Sequence, residues 1–217
     1  MRVARIQEIE PIPVVGGELQ WRPLRRTLGI EAFGINAYTA GAGELVVEEH
    51  DETGAGAGHH EELYVVVTGR ARFTVDGEEI DAPVGTCVFL DDPKERRGAR
   101  AVEDGTTILA IGAERGAAFK VSPWEFAFAA TPAWNAKRWD VVKGLYHEGL
   151  ELHPGNASLL YNLACAEALA GEKDAALGHL AQASKNPRYR EFATSDSDLD
   201  SLREDPRFTS ALGSPPK

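Results

Sequence analysis

Between residues 35 and 113 the apolar positions come in short runs broken by glycine, aspartate and proline, the spacing of an all-β barrel or sandwich. Strands are predicted over Ala37 to Thr39, Glu44 to Glu49, Leu63 to Thr68, Arg70 to Val75, Thr86 to Leu90 and Thr106 to Ile111. Asp76-Gly77, between Phe73-Thr-Val75 and Glu78-Glu-Ile80, suits a tight hairpin because glycine tolerates positive φ. Pro83 and Gly85 mark the next reversal. Along the run from His60 the alternation puts His60, Glu62, Tyr64 and Val66 on one face. Leu63, Val65 and Val67 form a second apolar stripe on the other, so both faces are expected to be covered, the second by a partner chain or by the helical repeat that follows.

After Ser122 the period changes. Ser122-Pro-Trp-Glu125 combines a capping serine, a proline suited to the first helical position and a glutamate able to bond back to the cap. From there to about residue 190 two segments superpose at an offset of 34 residues, aligning Ala130 with Ala164, Val142 with Ala176, Tyr146 with Leu180 and Gly149 with Ala183. In the second copy Asn156 caps a helix running to Ala170, Gly171 ends it, and a further helix spans Glu172 to Ser184. In the first copy Pro132 is expected to break or kink its helix, since proline costs ~3 kcal/mol in a helix interior. The stretch from Thr194 to Phe208 reads as a short capping helix carrying Leu199, Leu202 and Phe208, with a frayed end from Gly213 to Lys217. The fold class is therefore α+β, all-β then all-α, with a β-barrel and N-terminal arm over 1–120, two helix pairs over 121–190 and a capping tail over 191–217.

Charge and composition narrow the function classes. The chain has 217 residues with a net charge of −11, which repels phosphate backbones, and its one basic run, Lys94 to Arg100, lacks aromatic interleaving. No nucleic acid is expected as a partner. No apolar run approaches the ~20 residues that span a bilayer, and the first ten residues are charged throughout. A cytoplasmic protein without a membrane partner follows as the expectation. Cys87 and Cys165 lack zinc or redox spacing and read as small buried hydrophobes. No Ser-His-Asp ordering, phosphate loop or dinucleotide fingerprint is present, and no catalytic residue is assigned.

The stretch from His59 to Glu78, followed by Ala82-Pro-Val-Gly-Thr-Cys-Val-Phe-Leu90, resembles the cupin superfamily. That family carries a first motif G-x5-H-x-H-x3-4-E-x6-G and a second G-x5-P-x-G-x2-H-x3-N. Glu62 and Gly69 reproduce E-x6-G, and Gly85 opens the second motif. The resemblance implies a jelly-roll barrel and a divalent metal held by three histidines and one glutamate. Counting back from Glu62 puts Ala55 to Gly58 where the paired histidines belong, whereas counting forward from Gly54 puts His60 on the first and Glu62 on the second. Counting from Gly85 puts Asp91 on the proline, Pro93 on the glycine and Arg96 on the histidine, and a guanidinium does not ligate metal. The segment Leu159 to Ala183 resembles a tetratricopeptide repeat.

Three functions stay open. The first is a non-catalytic, small-ligand-binding or sensory protein, with His60, Glu62, Tyr64 and Arg96 forming a pocket for a small acid and the helical repeat contacting a protein partner. The second is a metal-dependent cupin enzyme of dioxygenase or isomerase type, holding its metal with His60, Glu62 and a relocated His59 or His50. The third is a structural oligomerisation module, since the resemblance implies a homodimer through the barrel. Glu48, Glu49, Asp51 and Glu52 read as a solvated acidic run, and His147, His153 and His179 as surface residues.

Overall fold

The structure is a computed structural model that describes residues 2–213. The chain divides into two compact units, Met1–Ser122 and Pro123–Lys217.

The first unit is two antiparallel sheets enclosing an apolar interior. Its strands are β1 (Ile12–Val14), β2 (Leu19–Arg22), β3 (Gly34–Ala40), β4 (Leu45–His50), β5 (Glu61–Thr68), β6 (Arg70–Val75), β7 (Glu78–Pro83), β8 (Cys87–Leu90), β9 (Arg97–Ala101) and β10 (Thr106–Ala113). One sheet runs β1-β2-β3-β10-β5-β8, the other β4-β9-β6-β7. Tyr64, Val66, Phe73, Leu90, Ala99 and Ile108 meet between them. Asp76 and Gly77 both take positive φ, at 47° and 88°, the two-residue turn expected between β6 and β7.

Two strand regions escape the sequence pattern. The N-terminal arm extends the six-stranded sheet through β1 and β2, followed by the short helix α1 (Leu24–Leu28). β9 reads Arg-Gly-Ala-Arg-Ala, without β-branched or aromatic residues, and becomes a strand because β4 and β6 pair with it on both sides.

In the second unit α2 (Pro123–Asn135) and α4 (Ala157–Ala170) begin 34 positions apart, as do α3 (Trp139–Leu152) and α5 (Lys173–Ala183). All eight superposed positions are buried. The Asn156 side chain accepts from the N–H groups of Ser158 and Leu159, and Gly171 ends α4 in the left-handed conformation. Pro132 does not break its helix, because α2 continues to Asn135. It stands in the last turns, where little helix remains beyond it, and Ala130 and Ala133 on either side are buried. The tail is more than one capping helix: α6 (Pro187–Ala193), a 3-10 turn at Ser197–Leu202 and α7 (Arg207–Leu212) bury Leu199, Leu202 and Phe208. Of the frayed end expected from the sequence, Ser214 to Lys217 lie outside the described residues. No helix among the described residues is long and apolar enough to cross a membrane.

Gly149 lets α3 approach its neighbours: a Cβ there would stand 3.0 Å from a Leu159 methyl and 3.1 Å from the Phe126 ring. Gly178 in α5 has open space. Gly149→Val is therefore expected to cost ~1–3 kcal/mol by overpacking, whereas Gly178→Ala gains ~0.5–1 kcal/mol of helix propensity. Thermal or urea unfolding of the two variants checks the opposite signs.

Candidate functional site

At one end of the barrel four charged side chains converge from both sheets. His50 is the last residue of β4 and pairs across the ladder with Arg97, the first of β9. Glu62 and Tyr64 come from β5 in the facing sheet, and Glu52 from the turn after β4. Arg97 is fully buried, Tyr64 1% exposed, Glu52 3% and Glu62 9%. Room for Glu62 depends on Gly112 in the neighbouring β10, where a Cβ would lie 3.2 Å from both the Glu62 Cγ and the His60 Cβ.

Each carboxylate is held by several groups. Glu62 Oε2 accepts a 2.5 Å hydrogen bond from the Tyr64 hydroxyl. It lies 3.3 Å from Arg97 Nε and 3.7 Å from His50 Nε2. Glu52 Oε1 lies 3.5 Å from His50 Nε2, while its Oε2 accepts from the Gly58 N–H at 2.8 Å and the His60 N–H at 3.4 Å. The glycine-rich loop thus wraps the Glu52 carboxylate, and the Glu52 carbonyl accepts from His59 N–H to close it.

Protonation follows from these contacts. Burial of His50 opposes its charge, but the carboxylates of Glu52 and Glu62 outweigh it, helped by the Glu48 carbonyl, and its pKa is pushed up to about 10. The Glu48 carbonyl sits 2.7 Å from Nδ1, so one ring nitrogen faces a carbonyl and the other two carboxylates, and both act as donors only in the imidazolium. Burial works against ionisation of Glu52, yet the His50 ring and the Gly58 N–H hold it below the usual carboxylate range. Burial and the adjacent Glu62 push the Tyr64 phenol well above its ordinary value, so it remains a donor.

The arginine of this cluster is Arg97, one residue beyond Arg96. Arg96 points to the other face of β9, where its side chain is 60% exposed, pairs with Glu49 at 2.5 Å and lines an outer groove with Arg72 and Arg100. Strand alternation separates the two neighbours. Arg97 Nη1 donates to the Glu95 carbonyl at 2.6 Å, while its Nε and Nη2 have no hydrogen-bond partner among the described residues. His60 is buried, but its ring faces Phe119 at 5.7 Å between centroids and packs toward Gly58 and Ser122, so only its backbone N–H reaches Glu52. His59 is exposed with a φ of 54° and contributes only its backbone N–H, to the Glu52 carbonyl. Sequence reasoning chose Arg96 over its neighbour Arg97 and read Glu52 as part of a solvated acidic run. The loop Thr53 to His60 separates His50 and Glu52 from Glu62 by more residues than the first motif allows, so counting back from Glu62 passes over them.

The metal implied by the cupin resemblance does not fit this donor set. His50, Glu52 and Glu62 bring ligand atoms within 4.8 Å of one another, but one histidine stands where three are needed. The Arg97 guanidinium beside Glu62 cannot ligate, and Tyr64 already donates to the same carboxylate oxygen.

No protein-family model and no curated protein sequence matches the chain. Several solved structures are similar to it, and some of these are described as cupins. They include a cupin protein from Bacteroides fragilis, 23% identical with a TM-score of 0.38, covering 46% of this chain and 80% of that one. A protein from Thermotoga maritima described as a predicted oxalate decarboxylase is 18% identical with a TM-score of 0.42, covering 51% and 97%. An RmlC-like cupin from Shewanella frigidimarina is 17% identical with a TM-score of 0.39, covering 54% and 94%.

The charge network sets a pH window. The raised His50 pKa contributes stability that is fully present below its unfolded value of ~6.5 and is lost as pH rises through about 10. The depressed Glu52 pKa contributes stability present above ~4.5 that is lost as pH falls through its folded value. NMR titration of the His50 ring is expected to give a midpoint near 10, and a midpoint near 6.5 would show that the carboxylates do not engage it.

Proposed function

We propose that the β unit is a non-catalytic binder of a small anion, a carboxylic acid by preference, and that the helical unit is a protein-interaction segment of tetratricopeptide type. The observation that carries the reading is Arg97: a fully buried guanidinium whose Nε and Nη2 lack hydrogen-bond partners. Buried donors of a charged group are costly to leave unmade, and a guanidinium edge suits the paired oxygens of a carboxylate. Glu62 lies 3.3 Å from Nε but outside hydrogen-bonding geometry, so it neutralises Arg97 without saturating it. Tyr64 and His50 complete the polar lining, and Arg96 belongs to the outer groove.

Protonation states support a binding role over a catalytic one. General acid–base work needs a group whose pKa lies near the operating pH. Here His50 is held protonated, Glu52 is held ionised and Tyr64 remains a phenol.

The test is a thermal-shift screen of the full chain with small mono- and dicarboxylic acids. A stabilising acid is expected to bind at least ~10-fold more weakly to Arg97→Lys, which keeps the charge but loses the planar fork, and equally well to Arg96→Ala. Arg97→Met would leave Glu62 without its buried cation and lose ~3–5 kcal/mol of stability, so the lysine variant is the informative one. No shift with any acid would overturn the proposal. Stoichiometric divalent metal in untagged protein, lost in His50→Ala and Glu52→Ala, would favour a metal-dependent enzyme instead.

A homodimer through the barrel draws support from β8, which ends the six-stranded sheet and carries Phe89 at 59% exposure. An antiparallel second copy of β8 would pair with this edge and bring the two Phe89 side chains under cover. Phe89→Lys is expected to shift the sedimentation coefficient from dimer to monomer.

A further inference from the structure

Glu167 is out of keeping with its surroundings. It is 3% exposed in α4, within the run Leu159 to Ala170 that otherwise holds leucine, alanine, one tyrosine, one asparagine and one cysteine. A buried carboxylate needs a partner, and here it is His179 of α5, whose Nδ1 lies 2.8 Å from Glu167 Oε2. That contact fixes the ring and takes up Nδ1, leaving Nε2 as the atom with a lone pair to offer. The sequence pattern placed His179 on the surface, but the Glu167 bond draws it partly under cover.

The His179 ring meets a second imidazole. His147 of α3 lies with its ring centroid 6.3 Å away and its plane at 69°. His147 is exposed, and among the described residues neither histidine has another side-chain partner. The lysine one turn before His147, Lys143, is neutralised by Glu172 at 2.5 Å and Asp140 at 3.5 Å.

Two imidazoles sharing a tetrahedral cation at ~2.0–2.1 Å per nitrogen have ring centroids on the order of 5–6 Å apart. A rotamer adjustment of the exposed His147 closes that difference. A carboxylate on the far nitrogen is the common outer partner of a metal-bound histidine, setting its tautomer and raising its basicity. The geometry points to a binding site for Zn²⁺ or a similar borderline divalent cation, with His147 and His179 as ligands, Glu167 as the positioning residue and solvent completing the coordination. Because His147 belongs to the first copy of the 34-residue repeat and His179 to the second, the cation clamps the two copies together.

The test is calorimetric titration of zinc chloride into the full-length, untagged protein. One site with a dissociation constant in the micromolar range is expected. His147→Ala and His179→Gln should each weaken it at least ~10-fold, and Glu167→Gln ~10-fold to 100-fold. His50→Ala, which removes the imidazole of the barrel cluster, should leave the site intact. Since His147 is exposed, its alanine variant is expected to keep the wild-type far-UV dichroism and carries the test even where Glu167→Gln fails to fold. Absence of zinc binding, binding unchanged in His147→Ala, or binding abolished by His50→Ala would each overturn the proposal.

Discussion

Glu52 and Glu62 lie 3% and 9% exposed at the end of a barrel whose interior is otherwise valine, alanine, leucine and aromatic side chains. Ionised carboxylates cannot stay in such a place without donors and opposite charge, and much of the local architecture follows from supplying them. His50 ends β4 and Arg97 begins β9, so one ladder pair delivers both cations. The register of that ladder shifts between Val47 and His50, the local rearrangement by which a bulge re-aims side chains at a strand end. Gly112 leaves the space that Glu62 needs, and the loop after Glu52 turns its own N–H groups onto the carboxylate.

What is left over after this accounting carries the functional reading. Nominal charges balance, with two carboxylates against an imidazolium and a guanidinium, but hydrogen bonds do not: Arg97 keeps Nε and Nη2 without acceptors. A cation would have to enter beside Arg97, displace the His50 proton and share Glu62 with Tyr64, whereas an anion meets donors already in place.

The parts of the molecule legible in the sequence are those fixed by periodicity. Strict alternation along β5 gives the faces of Glu62, Tyr64 and Val66, and the 34-residue offset gives the starts of four helices. The site was only half legible, because motif counting assumes constant loop lengths. The loop Thr53 to His60 puts His50 too far from Glu62 for that count to find it, and Glu52 is hidden within what reads as a solvated acidic run. Arg96 and Arg97 cannot be told apart by counting either, since they are adjacent and chemically identical. The short helices of the tail have no periodicity to read, and β9 is a strand only through its neighbours.

Parity settles the arginine once β9 is known to be a strand. Arg97, Ala99 and Ala101 are buried and face the barrel interior, while Arg96 and Arg100 are exposed. A one-residue slip would turn Arg96 and Arg100 inward and expel the alanines. The inward set has one charge because the interior holds one carboxylate placed to meet it. Energetically the pair is not what holds the barrel up: apolar replacement of a whole buried ion network is often neutral or stabilising by ~1–4 kcal/mol, whereas removal of one member costs ~3–5 kcal/mol. Phe73, Val66 and Ile108, all 0–1% exposed, already supply an apolar interior. The Arg97–Glu62 pair therefore belongs to register: it makes one alignment of β9 acceptable, and under the proposed function the same guanidinium is the group that meets the ligand.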